Sequence, residues 1–229
     1  MEVLYEDNHL IAVNKSNSDL VQGDRTGDVS LDQQIKQWLK EKYNKPGDVY
    51  LGVIHRLDRP VSGVVLFAKT SKALSRMNKI FKEKQVEKTY WAIVKNCPDP
   101  TEGSLRHQMV RNPRKNKSFS YDQPRKDSKE AVLSYQLIAS SHRYYLLEVS
   151  LETGRHHQIR SQLSRIGSPI KGDLKYGFDR SNKDGGISLH ARQIRFVHPV
   201  QKQPLTIVAD PPHDTLWQFF VQQVVSSDQ

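Results

Sequence analysis

The chain has 229 residues, 36 % of them hydrophobic, and carries 35 Lys plus Arg against 25 Asp plus Glu for a formal net charge of +10. This composition excludes disorder throughout and leaves material for one large domain or two small ones. It favours a polyanion or an anionic membrane surface as partner over a cationic ligand.

Cys97 is the only cysteine, which excludes an intramolecular disulfide and a cysteine zinc cluster and fits a reducing compartment. The start, Met1 to Asp7, is acidic and lacks the features of a signal peptide. No stretch approaches the ~20 apolar residues of a membrane helix, so the expectation is a soluble, cytoplasmic protein.

Apolar runs at Val3 to Tyr5 and Leu10 to Val13, separated by Glu6-Asp7-Asn8, predict a hairpin. Ser30 with Gln33 makes a capping box, and Leu31, Ile35, Trp38 and Leu39 repeat at helical spacing. Val49 to Ile54 and Gly63 to Lys69 read as strands around the polar segment His55 to Ser62. Ser71 is placed to cap a second helix with Leu74, Met77, Ile80 and Phe81 inward. Lys88 to Lys95 reads as a strand that sends Tyr90 and Trp91 to opposite faces.

Between Val110 and Lys129, seven Lys and Arg side chains crowd around two prolines, which predicts a mobile basic loop at about 110–130. Strands follow at Ala131 to Ala139 and Tyr144 to Leu151, then a helix from about Arg155 to Ile166 that Gly167 stops. A glycine-rich connection from Gly172 to Gly186, strands near Ile187 to Val197 and Leu205 to Ala209, and a helix capped by Asp214 complete the chain. Strands joined by hairpin-length turns outnumber helices, so the expected class is α+β with a largely antiparallel sheet.

Two segments could carry chemistry. In Gly52 to Gly63 a carboxylate, Asp58, lies between Arg56 and Arg59 at the end of an apolar strand. A nearby guanidinium would keep such a carboxylate ionised as a nucleophile or base. Read alone, the segment is a loop ion pair, because isolated Arg-Asp neighbours are common. In Thr153 to Arg160, Gly154 permits a close turn before a helix N-terminus suited to phosphate, and His156 and Arg160 would share a helix face. Alone it reads as a solvated basic helix. The nine histidines are scattered and no pair has metal-helix spacing, so no metal site is expected.

In combination the segments say more. The series His55-Arg56-Leu57-Asp58 with Ser62-Gly63, Lys88-Thr89-Tyr90, Gly154-Arg155-His156-His157-Gln158-Ile159-Arg160 and Leu189-His190-Ala191 resembles the RluA family of RNA pseudouridine synthases. Leu10 to Lys15, Pro169 to Asp173 and Tyr176-Gly177 also look like this family, so the likeness spans nearly the whole chain. It implies the pseudouridine synthase fold: a central, mostly antiparallel mixed sheet flanked by helices, with an RNA-binding cleft. The reaction implied is isomerisation of selected uridines in ribosomal or transfer RNA, with no cofactor and no metal.

The resemblance assigns Asp58 as the catalytic aspartate, Tyr90 as the tyrosine that stacks on the target base, and Arg160 as the arginine that pairs with the aspartate. Leu189 matches an apolar residue of the active site, and Arg56 the arginine that helps hold the flipped base. Arg155 and His157 are expected to position the RNA or brace the site. Residues 1–229 are read as one catalytic domain without an S4 domain, acting as a monomer with RNA as partner and no obligatory protein partner or membrane.

Three positions depart from the family pattern: Ser16 after Lys15 where proline is common, Val61 where threonine is frequent, and His156 where a small polar residue is frequent. They touch RNA positioning more than chemistry. The alternative function is a non-catalytic RNA-binding protein on the same fold. A glycosidase or nuclease is disfavoured because only one convincing carboxylate emerges.

Overall fold

The computed structural model describes residues 1–23 and 27–227. In chain order these form β1 (Glu2–Glu6), β2 (Leu10–Lys15), α1 (Leu31–Lys42), β3 (Gly52–Val53), β4 (Ser62–Ala68), α2 (Ser71–Lys82), β5 (Val86–Val94) and β6 (Glu102–Asn112). The chain continues with β7 (Lys117–Tyr121), β8 (Lys129–Ser140), β9 (Tyr145–Leu151), α3 (Gln158–Arg165), β10 (Leu189–Val197), β11 (Pro204–Val208) and α4 (Thr215–Ser227). Two compact units are present, one of Met1–Val86 with Ala191–Asp210, the other of Glu87–His190 with Pro211–Gln229. The α+β class and its predominantly antiparallel pairing agree with the reading of the sequence.

In the first unit the strands run β1-β2-β4-β10, with β3 on β4 and β11 on β10. The β1–β2 hairpin closes because Asp7 Oδ1 accepts from both His9 N and Leu10 N at 2.7 Å. Apolar residues occupy both parities of β2 and β4. Leu10, Ala12, Val64 and Leu66 share a core with Ala73 and Met77 of α2, while Ile11, Val13, Val65 and Phe67 are fully buried on the other parity. An unbroken apolar run is what a strand covered on both faces requires.

The capping box of α1 is present, with Ser30 N donating to Gln33 Oε1 at 3.0 Å, and Leu31, Ile35 and Leu39 are buried. Two local expectations change. Thr70, not Ser71, caps α2, its hydroxyl accepting from Ala73 N at 3.1 Å, so Ser71 becomes the first helical residue. Of Val49 to Ile54 only β3 pairs, because β2 takes one edge of β4 and β10 shares the other with β3.

The second unit is ordered β5-β9-β8-β6-β7, antiparallel throughout. Trp217 and Phe220 of α4 pack on Trp91, Ile93 and Leu146, and Asp214 Oδ1 caps that helix through Leu216 N and Trp217 N at 2.9 and 3.0 Å. Trp91 is buried and Tyr90 half-buried, but burial along β5 does not alternate: it runs unbroken from Trp91 to Val94.

The expected basic loop at about 110–130 is corrected. Most of it is the β6–β7 hairpin and the start of β8, with Gln108 to Asn112 paired to Lys117 to Tyr121. Ser118 and Ser120 are buried while Arg111, Arg114 and Lys115 are exposed, so the charge that imitated a loop belongs to the outer side and tip of a ribbon. Among the described residues no helix is long and apolar enough to cross a membrane.

Candidate active site

Arg56 and Asp58 lie in the first unit, on the segment that joins β3 to β4. Leu57 between them is buried, Arg56 is exposed and Asp58 half-buried. The apolar residue anchors the loop and leaves its charged neighbours at the surface. Val61 N donates to Asp58 O at 3.0 Å, closing a turn immediately after the carboxylate.

Two side chains fix this loop from behind. Lys15, 1 % exposed, donates through Nζ to Ser16 O and Arg59 O at 2.9 Å and to Val61 O at 2.6 Å. His55 Nε2 accepts from Leu66 N at 3.1 Å, and its ring stacks on Phe81 with centroids 5.4 Å apart. Gly63 completes the frame. Its φ is +114°, and a Cβ there would lie 2.3 Å from Ala191 O, so only glycine permits this approach of β4 to β10.

Burial pushes the Lys15 ammonium down to about 8; the Asp19 and Asp58 carboxylates oppose that and Arg59 adds to it. Between about 8 and the ordinary lysine value of 10.5 the unfolded chain holds a proton that the folded protein has released. Folding stability from this group therefore rises with pH across that window, by up to ~1.4 kcal/mol per unit. Lys15→Met removes the titration and leaves Arg59 O and Val61 O without this donor. Denaturant unfolding should show wild type more stable than the variant at pH 7, with the gap widening by ~2 kcal/mol at pH 9.5. A gap that narrows would mean that the carboxylates outweigh burial.

The remaining candidates, Tyr90, Arg155, His157, Arg160 and Leu189, lie in the second unit. Tyr90 sits on β5 opposite Val149 of β9, and Leu189 opens β10 at 3 % exposure. Arg155, His157 and Arg160 come together at the entrance to α3. That helix starts at Gln158 rather than near Arg155, because His157 is left-handed at φ 55°. His156 is consequently outside the helix and does not share a face with Arg160.

The turn before α3 is held by side chains whose roles the sequence did not disclose. Gln158 Oε1 accepts from Arg155 N at 2.9 Å and Thr153 Oγ1 at 2.8 Å, and Gln158 Nε2 donates to Val132 O at 3.1 Å. Arg155 is exposed and donates through Nε to Glu130 O at 2.9 Å. His156 Nδ1 is 2.8 Å from Ser118 Oγ, and the two adjacent histidine rings stack at 3.8 Å. His157 is buried with Nδ1 3.0 Å from Tyr176 Oη. Burial, aided by the cations Arg160, Lys175 and Arg111 and by His156, holds its imidazole down to about 2, so it is neutral. Such a group braces the turn and does not offer a charge to phosphate.

Arg160 is 5 % exposed and donates through Nε and one terminal nitrogen to Asp173 Oδ2 and Oδ1 at 2.6 and 2.9 Å. Its guanidinium also lies 5.0 Å from the Tyr176 ring centroid. Asp173 is 1 % exposed, so this is a fully buried bidentate pair that fixes the guanidinium plane. Asp173 and Tyr176 lie within the family-like segments of the sequence, but no spacing there points to their contacts with Arg160.

The first unit thus presents a half-exposed carboxylate on a loop held by its neighbours, and the second a buried, oriented arginine. A solved human structure, RNA pseudouridylate synthase domain containing 4, superposes with a TM-score of 0.79 over 98 % of this chain and 93 % of its own, at 24 % identity, which establishes the fold. The sequence profile of RNA pseudouridylate synthase matches residues 9–165, and the chain belongs to that family. A tRNA pseudouridine synthase C from Vibrio parahaemolyticus is 32 % identical over 95 % of this chain and 92 % of its own length. Another from Pectobacterium carotovorum is 32 % identical over 97 % of this chain, which spans 62 % of that relative.

Proposed function

We propose that the protein isomerises specific uridines in RNA to pseudouridine, with Asp58 as the catalytic carboxylate. The observation that carries this reading is Asp58 itself: a half-exposed acid on a loop held by buried Lys15 and Leu57 and by partly buried His55, within the residues that match the family profile. A loop fixed in this way presents its carboxylate without the entropy cost of ordering it at each turnover. Asp58 attacks or otherwise activates the nucleotide so that the N1–C1′ bond breaks, and the uracil turns and rejoins through C5. Reactant and product contain the same atoms, so the net reaction consumes no redox partner or nucleotide cofactor.

Tyr90 stacks on the target base, Arg160 supplies the oriented guanidinium, and Leu189 gives an apolar surface. Arg56 holds the base out of its stack, Arg155 contacts the RNA backbone, and His157 braces the turn beside it. The relatives named above support transfer RNA as the substrate, in preference to ribosomal RNA. The protein works as a cytoplasmic monomer whose catalytic domain selects the RNA.

Pseudouridine mapping of total RNA from cells with and without the gene tests this reading. At least one uridine, expected in transfer RNA, should lose its modification when the gene is absent and regain it on complementation. If every position is unchanged, the non-catalytic RNA binder replaces the enzyme.

A further inference from the structure

The second unit contains an open cleft of about 710 Å³ to which the proposed chemistry gives no task. This lies within the ~300–1,000 Å³ range of ligand pockets. Its walls are the end of β5 at Lys95, the β8–β9 turn at Arg143 and Tyr144, and the segment after α3 from Lys171 to Asn182.

The walls are fastened through the backbone. Lys95 N donates to Pro169 O at 3.2 Å and Lys171 N to Ile93 O at 2.9 Å, which joins two of them. Ser141 closes the turn by donating through N to Tyr144 O at 2.8 Å and accepting through Oγ from Tyr144 N at 3.0 Å. The cleft therefore exists before any ligand arrives.

Four cations, Lys95, Arg143, Lys171 and Arg180, face one lining carboxylate, Asp179. Lys95 pairs with that carboxylate, and Lys171 Nζ donates to Asn182 Oδ1 at 2.6 Å. The guanidinium groups of Arg143 and Arg180 are exposed and have no ion pair or side-chain hydrogen bond among the described residues. Beside them Tyr144 and Phe178 are half-buried, and Lys171 Nζ lies 6.0 Å from the Tyr144 ring centroid. Unmatched guanidinium groups suit phosphates, and flat aromatic faces suit bases; their combination is the chemistry of single-stranded nucleic-acid binding.

We infer that this cleft is an RNA subsite that receives unpaired nucleotides of the substrate other than the modified uridine. Arg143 and Arg180 hold phosphates, and Tyr144 offers its ring to a base. The inference rests on the RNA-modifying reading above.

The full chain is titrated with a fluorescent single-stranded RNA of about 20 nucleotides and mixed sequence, and Kd is read by anisotropy over a potassium chloride series. In the exposed pair Arg143→Ala/Arg180→Ala, Kd should rise about tenfold near 0.1 M salt. The slope of log affinity against log salt should become shallower by about 1.4, two single-strand phosphate contacts at ~0.7 each. A charge-matched control on α1, Lys36→Ala/Lys40→Ala, should change Kd less than twofold. Tyr144→Leu should weaken binding at least threefold with the slope unchanged.

An unchanged Kd in the arginine pair, or an equal loss in the control, overturns the subsite. Thermal midpoints within about 2 °C of wild type show that the arginine variants fold. If wild type binds the RNA and forms no pseudouridine in any cellular RNA, the enzymatic reading fails while the Kd comparison still decides the cleft.

Discussion

Asp58→Asn is expected to lower pseudouridine formation by at least ~10³-fold, about 4 kcal/mol of transition-state stabilisation, with RNA affinity retained or slightly improved. The amide keeps the size of the carboxylate and can still accept hydrogen bonds, so the loop should keep its shape. It lacks the charge and nucleophilicity that bond breaking at C1′ demands. Because Asp58 is half-exposed and its loop is held by Lys15, His55 and Leu57, the stability change should stay below ~1 kcal/mol. Removing a negative charge from a basic protein lessens repulsion of phosphate, which gives the expected sign of the affinity change.

The measurement is single-turnover release of label from uridine-labelled RNA, with Kd determined on the same transcript. Turnover within tenfold of wild type would transfer the chemistry to another group. A second consequence separates charge from shape. The Asp58 carboxylate favours the charged form of Lys15, so its loss should push that ammonium further below about 8.

Much of this frame is legible along the chain, because the signals are local. Asp7 makes its turn, Ser30 and Gln33 make their cap, and apolar residues on both parities of β2 and β4 announce strands covered on both faces. The segment around 110–130 misleads because net charge reports exposure, not backbone pairing. Its alternation of Ser118, Phe119, Ser120 and Tyr121 is short and set among lysines and prolines. The start of α3 is displaced for a different reason. Gln158 and Thr153 bind Val132, distant in sequence, and that tertiary tie takes Arg155 to His157 out of the helix.

At the site, residue types are legible while their supports are not. Asp58 and Arg160 stand out as charged residues in recognisable strings. Lys15 reads as the end of a strand, and its buried contacts with Arg59 O and Val61 O join segments 44 and 46 residues apart. Asp173 lies 13 residues beyond Arg160, outside any helical or strand period, so no spacing rule connects them. Such pairs are products of the fold and become visible only with it.

Asp173→Asn should test whether the Arg160 guanidinium needs this support, at an expected loss of ~3–5 kcal/mol in folding stability. The variant leaves a cation 5 % exposed opposite a neutral amide that can accept through only one oxygen. Arg160→Lys attacks the same contact from the other side. A lysine is a point donor and cannot reproduce the parallel bonds of 2.6 and 2.9 Å, so the conservative exchange should be nearly as costly. Chemical denaturation of both single variants and of Asp173→Asn/Arg160→Lys completes a double-mutant cycle, with an expected coupling of at least ~2 kcal/mol. Additive losses would mean that the two side chains contribute separately. If Asp173 acts through Arg160, either variant, assayed at a temperature where it remains folded, should lose kcat more than KM, because an oriented cation serves the reacting state. A loss confined to KM would give the pair a part in RNA binding instead.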